Sequence, residues 1–245
     1  MDKHNSKETG DSKVNLLSAE NTTLERFVVF LDIMGFKDRV ARYDHDIILK
    51  ELQIFQYKIS SYVRNSPDSN IQLVMFSDSI LLFSQDISAS SLRAISDVAN
   101  HIMMYAMQQE RPIPLKGAIA AGKMTCDYAK QLYFGQALID AYLLEEDVKY
   151  YGVIVHHTAE KYVKMYNFDN GLFRDNKTPL KSGDIFHYEL VWYETKLPDE
   201  EEKDGIAIKQ IPLTECLKNL RLTVSDEPRK YIDNTKKVMV SEKEK

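Results

Sequence analysis

The sequence predicts an α+β fold, a ferredoxin-like split βαβ core whose central sheet contains antiparallel neighbours and carries helices packed on it. Three observations predict it. Short continuous apolar runs have the length of buried strands, and longer segments place apolar residues every three or four positions. The two kinds follow one another as strand, helix, strand, tight hairpin, strand, helix, strand.

The first strand begins at Arg26 and runs through Phe27-Val28-Val29-Phe30-Leu31, apolar without alternation, as in a central strand covered on both faces. It ends at Asp32, and Gly35 follows. Over 47–63, Ile48, Leu52, Phe55, Ile59 and Val63 recur at helical steps, and Ser66-Pro67-Asp68-Ser69-Asn70 stops that helix. Residues 71–76 and 80–83 flank Ser77-Asp78-Ser79 and read as a hairpin, although no Asn-Gly or Asp-Gly marks its turn. A second helix over 88–109 carries Leu92, Ile95, Val98, Ala99, Ile102 and Tyr105 on one face and stops before Pro112 and Pro114. Residues 115–121 form another buried strand, which Gly122 is expected to break.

A third helix over 136–148 lies behind Gly135, followed by a strand at 153–155, a helix at 159–166 and a strand at 185–193. Residues 199–204 are an acidic loop. A basic, mixed segment then runs from Leu213, helical around 231–238 and loose after Val240. The expected organisation is a disordered arm over 1–24, one folded domain over 25–225, and a C-terminal helix and tail over 226–245. No internal repeat is visible.

Composition narrows the function. The chain has 245 residues, 44% hydrophobic and 28% charged, which suits one domain with a sizeable core and excludes a wholly disordered chain. A net charge of −5 leaves no basic surplus for a nucleic-acid backbone. No apolar run approaches the roughly 18–20 residues of a membrane helix, and the polar start lacks the apolar stretch of a secretory signal. Cys126 and Cys216 have no paired spacing, so neither a disulfide framework nor a zinc cluster is expected. The expectation is a cytoplasmic protein with neither nucleic acid nor membrane as partner.

The strand order brings chemistry together. A right-handed crossover makes the first and second strands parallel, so their carboxyl ends share one edge of the sheet. Asp32 and Asp78 are therefore expected to meet there. Two converging carboxylates form a hard-oxygen site for Mg²⁺ or Mn²⁺, which take further ligands from water and substrate phosphates. The chain around Gly35 has amides that can cradle phosphate at the following helix. The competing reading is that Asp32 caps a helix and Asp78 fills a turn. His156-His157 with Glu160 resembles metal spacing, but no third ligand is visible and a surface pair at a helix start explains it. Met103, Met104 and Met107 read as core filler, and Trp192 with Tyr188 and Tyr193 as strand packing or a subunit contact.

Several segments carry a resemblance. Phe30-Leu31-Asp32-Ile33-Met34-Gly35-Phe36 resembles the Phe-x-Asp-Ile-x-Gly-Phe signature of class III nucleotide cyclases, and Phe76-Ser77-Asp78-Ser79-Ile80 resembles their second metal motif. Leu115-Lys116-Gly117-Ala118-Ile119-Ala120-Ala121-Gly122 is similar to their next core strand, and the segment from Phe134 to Glu145 to the helix after it. The wording of these last two, with Lys230-Tyr231-Ile232-Asp233-Asn234-Thr235, is similar to the pyrimidine cyclases of bacterial Pycsar antiphage systems.

The resemblance implies a homodimer of the mononucleotidyl-cyclase fold. Its implied reaction turns UTP or CTP, uridylate ahead of cytidylate, into the 3′,5′-cyclic monophosphate plus pyrophosphate. The product would be a second messenger of antiphage defence, read by a separate cyclic-nucleotide-gated effector. Two ions, Mn²⁺ or Mg²⁺, are implied at Asp32, Ile33 and Asp78, with phosphate contacts from the backbone of Ile33, Met34, Gly35 and Phe36. Lys116 stands where an Arg is expected and is the first candidate for a catalytic cation; the competing reading is a solvated strand-edge lysine. Arg221, Arg229, Lys236 and Lys237 are further candidates. One departure stands out: adenylyl and guanylyl cyclases place an Asn and an Arg where this chain has Ile139 and Leu143. The alternatives are therefore an adenylate or guanylate cyclase, or a catalytically silent cyclase-like sensor that binds nucleotide.

Overall fold

The computed structural model describes residues 23–66, 71–109, 111–169, 171–197 and 211–240. Strand β1 (Thr23–Ile33) is followed by α1 (Phe36–Arg42), α2 (His45–Arg64), the hairpin β2 (Gln72–Phe76) and β3 (Ser79–Phe83), and α3 (Ala89–Met107). Then come β4 (Leu115–Asp127), β5 (Leu132–Gly135), α4 (Gln136–Asp147), β6 (Val153–Val155), α5 (His157–Met165), the hairpin β7 (Phe173–Leu180) and β8 (Gly183–Leu190), and the helices α6 (Leu213–Thr223) and α7 (Glu227–Val240).

The strands form one sheet in the order β2-β3-β1-β4-β6-β8-β7, with β5 paired to β4. The first four in that order are the split βαβ core the sequence predicts, and β1 lies at its centre, antiparallel to both β3 and β4. Alternation along β1 sends Phe27, Val29, Leu31 and Ile33 into a core shared with α2, α3 and α5. Val28 and Phe30 point to the opposite face, against Ala137 and Ala141 of α4. Each fully buried side chain of this kind contributes roughly 1.5–3 kcal/mol. On that second face α4 packs over β1 and β4, leaving the side of β2 and β3 without a helix among the described residues.

Several expectations change. β1 starts at Thr23, inside the arm expected over 1–24; the arm's first 22 residues, the acidic loop and the tail beyond Val240 lie outside the described residues. Gly122 does not break β4, which continues to Asp127 and turns back as β5. The long apolar runs signal fully covered strands, whereas β5 is half-exposed and carries no such run. The sequence predicts no element between the 159–166 helix and the 185–193 strand; β7 lies there, polar at Arg174-Asp175-Asn176-Lys177 and held by its ladder to β8. Trp192 sits in a short 3₁₀ turn rather than a strand and is fully buried, so it is a core residue and not a subunit contact. Met103, Met104 and Met107 are buried in the core as read.

Candidate active site

Asp32 is the penultimate residue of β1, opposite Ser79 of β3 and Lys116 of β4 in register. Asp78 occupies the two-residue turn of the β2–β3 hairpin, where Ser77 adopts φ 56°. That left-handed backbone is what a tight primed turn demands, so the hairpin forms without the usual glycine. The amide of Ile33 donates to the main-chain carbonyl of Asp78 at 2.8 Å. The two aspartates thus meet at the edge where β1 ends.

Their carboxylates feel each other. Burial, and then the charge of Asp78, push the Asp32 carboxyl above its ordinary value, while Lys116 pulls the other way. Two half-buried carboxylates at one sheet edge are a donor set suited to a hard divalent cation. Among the described residues no cluster of three or more His, Cys, Asp or Glu side chains could hold a metal ion, so water and substrate oxygens would complete such a shell.

The phosphate cradle is narrower than expected. Ile33 spends its amide on Asp78, and Met34 donates to the Pro114 carbonyl at 2.9 Å, so neither amide is available to a phosphate. Gly35 and Phe36 remain, at the start of α1. Gly35 has φ 74° with open space where a side chain would begin, so it is a glycine for its backbone conformation. α1 itself was missed. Phe36, Val40 and Ala41 are the apolar residues in its seven, too few for a periodic signal.

Lys116 is neither solvated nor free to reach a phosphate. It is 7% exposed; its ammonium lies 2.8 Å from Glu145 Oε1 on α4 and donates to the Glu145 carbonyl at 3.0 Å. Burial raises the Glu145 carboxyl and Lys116 opposes it. The close approach that brings Lys116 beside Asp32 depends on Gly117, where a Cβ would lie 2.4 Å from the Phe30 carbonyl. Glu145 was not singled out from the sequence. Its signal is the buried i, i+4, i+8 stripe Ala137, Ala141, Glu145, whose third member needs a buried partner.

The C-terminal cations have other partners. Arg221 pairs with Asp233 at 2.5 Å, Lys237 with Asp184 at 2.5 Å, and Arg229 donates to the Val224 carbonyl at 2.8 Å. None of these partners belongs to the aspartate edge, and Lys236 shares the same helix, α7. Ile139 and Leu143 are half-exposed on α4, beside Tyr142, which meets Phe30 edge-to-face at 5.4 Å. His156 caps α5 by accepting from Thr158, and its ring lies 4.1 Å from that of His157, the helix-start pair expected.

No model of a known protein family matches the sequence, and no curated protein matches it. Solved structures do. The guanylyl cyclase domain of the RhoGC fusion protein of the aquatic fungus Blastocladiella emersonii matches at 14% identity, covering 69% of this chain and 95% of that one, with a TM-score of 0.56. The guanylate cyclase domain of RhGC from Catenaria anguillulae, solved with GTP, gives 13%, 69%, 96% and 0.55. The adenylyl cyclase CyaB from P. aeruginosa gives 15%, 73%, 98% and 0.54. The chain has the fold of a nucleotide cyclase catalytic domain.

Proposed function

We propose that the chain is a class III nucleotide cyclase that converts a pyrimidine triphosphate, UTP ahead of CTP, into the 3′,5′-cyclic monophosphate and pyrophosphate. The observation that carries this reading is the meeting of Asp32 and Asp78 at one sheet edge, within a cyclase-like fold. Asp32, Asp78 and the carbonyl of Ile33 would hold two Mg²⁺ or Mn²⁺ ions. Such ions supply acidity to the ribose 3′-hydroxyl and counter-charge to the departing pyrophosphate. The 3′-oxygen forms its bond to the α-phosphorus as the bond to the bridging oxygen breaks, and the hydroxyl proton leaves to solvent.

The chain's own groups orient and tune. The amides of Gly35 and Phe36, at the start of α1, receive phosphate oxygens. Lys116, held by Glu145, acts on the charge of Asp32 rather than on the phosphate. Half-exposed Ile139, Tyr142 and Leu143 on α4, with no helix over β2 and β3 among the described residues, support a homodimer whose second copy completes the site. The proposed setting is the cytoplasm, with the product read by a separate gated effector in antiphage defence. Among the described residues, no helix is long and apolar enough to cross a membrane.

A second reading has its own observation. Ile139 and Leu143 offer no polar group to a ribose or a transferring phosphate, which favours a silent, nucleotide-binding sensor. Purine cyclisation is a third, since the matched structures are named as guanylyl and adenylyl cyclases. Incubation with each of the four triphosphates and Mn²⁺, followed by chromatography, separates them. Cyclic UMP or CMP supports the proposal, a cyclic purine replaces the substrate, and bound but unchanged nucleotide means a sensor.

A further inference from the structure

A cavity of about 470 Å³ lies on the other flank of the loop that follows Asp32. Met34 and Gly35 line it, whereas Asp32 and Asp78 do not. Its walls come from α1, the segment 111–114, Lys149, Tyr151 and the helix pair α6–α7. That volume falls within the roughly 300–1,000 Å³ typical of small-molecule pockets.

Its lining is chemically particular. Arg39, Arg42, Arg111 and Lys149 face it against the carboxylates of Asp38 and Glu227, so cations outnumber anions. Arg39 and Arg111 share one carboxylate, Glu51, at 2.9 and 2.5 Å, which leaves their joint charge only half balanced. Arg42 lies 3.9 Å from Asp38 in a loose pair, its side chain 72% exposed. Tyrosine rings accompany the charge, Tyr43 exposed and Tyr151 and Tyr231 buried. Tyr151 stacks on Tyr231 with ring centres 5.7 Å apart, and Arg111 lies 4.8 Å over Tyr43. Excess cations beside the exposed Tyr43 ring suit a ligand that is both planar and anionic.

The cavity is also tied to the catalytic edge. Its wall includes the Met34-to-Pro114 hydrogen bond that fixes the loop after Asp32, and Arg39 of α1 donates to the Pro112 carbonyl at 2.7 Å. A ligand here therefore presses on the segment that positions Gly35 and Asp32.

We propose that this cavity is an effector site for a planar-ring anion of nucleoside-monophosphate size, which adjoins the catalytic edge at Gly35 but does not include Asp32 or Asp78. Occupancy fixes the Met34–Gly35 loop and sets the activity of the adjacent site.

Titration calorimetry on the full chain in EDTA tests it, with uridine 5′-monophosphate as probe and inorganic phosphate and uridine as separate arms. One equivalent of monophosphate is expected to bind, more tightly than either fragment. Asn219→Trp, on an exposed position of α6 at the cavity, and Arg42→Ala are each expected to weaken it on the order of tenfold or more. Circular dichroism checks that both variants fold. The paired Asp32→Ala and Asp78→Ala variant is expected to bind unchanged. No binding at millimolar monophosphate, or binding that neither Asn219→Trp nor Arg42→Ala weakens, overturns the proposal. So does loss of binding in the paired aspartate variant, and phosphate or uridine binding as well as the monophosphate. Because no turnover is measured, failure here is distinct from failure of the cyclase reading.

Discussion

The amide of Ile33 donates to the carbonyl of Asp78 across 2.8 Å, joining the end of the central strand to the tip of a hairpin far away in sequence. The bond runs through main chain, so the approach of the two aspartates does not depend on their side chains. Replacing either carboxylate should leave the geometry standing.

Asp32→Ala and Asp78→Ala are each expected to abolish product formation and keep the fold. Turnover within about tenfold of the wild type would remove the residue from the site. Stability should not fall. The Asp32 carboxyl is raised above 3.8 by burial and by Asp78, so the folded state loses stability as pH rises through that raised value. Melting temperatures of Asp32→Asn should equal or exceed the wild type near pH 7, with the gap closing toward acid.

The Lys116–Glu145 pair should behave as a buried ion pair. Lys116→Met leaves a buried carboxylate alone and is expected to cost about 3–5 kcal/mol in urea unfolding. Adding Glu145→Leu should recover most of that loss. A single substitution costing under about 1 kcal/mol would mean that the pair does not hold α4 to β4.

Glu189 carries a pH dependence of its own. It is fully buried on β8, bonded by Asn176 at 2.8 Å, Tyr193 at 3.1 Å and Tyr150 at 3.2 Å, and burial pushes its carboxyl up to about 7. A raised carboxyl favours the fold while protonated, fully below 4.5, and that advantage is lost as pH rises through about 7. Stability of the wild type should therefore fall between pH 5 and 8 by no more than about 3 kcal/mol from this group. Glu189→Gln should flatten the profile; an unchanged slope would place the titration elsewhere.

Ser77 holds a left-handed backbone without being glycine. Ser77→Gly is expected to gain about 0.5–1 kcal/mol, and Ser77→Val to lose more than that, in thermal unfolding. Equal stabilities would show that the turn carries no strain.

Legibility followed physical cause. α2 and α3 announce themselves because burial imposes a helical period on many residues at once, and β1 because coverage on both faces makes it a continuous apolar run. The meeting of Asp32 and Asp78 followed from strand order alone, a consequence of crossover handedness. What stayed hidden were features set by partners far away in sequence. β7 exists through its ladder to β8, Lys116 is buried because Glu145 comes over it, and the Ile33 and Met34 amides are consumed by Asp78 and Pro114. No local window of residues contains those facts.

The position of β1 has a consequence for how the proposed metal site would breathe. Asp32 rides on a strand bonded on both sides, so its amide neighbours should be among the last to exchange with heavy water. Asp78 rides on a hairpin whose outer strand, β2, is the sheet's edge and, among the described residues, has a partner on one side only, where exchange is fast. A divalent ion shared by the two carboxylates would clip the quick rim to the slow centre. Protection of the β2–β3 amides should then rise on adding Mn²⁺ while that of β1 barely moves.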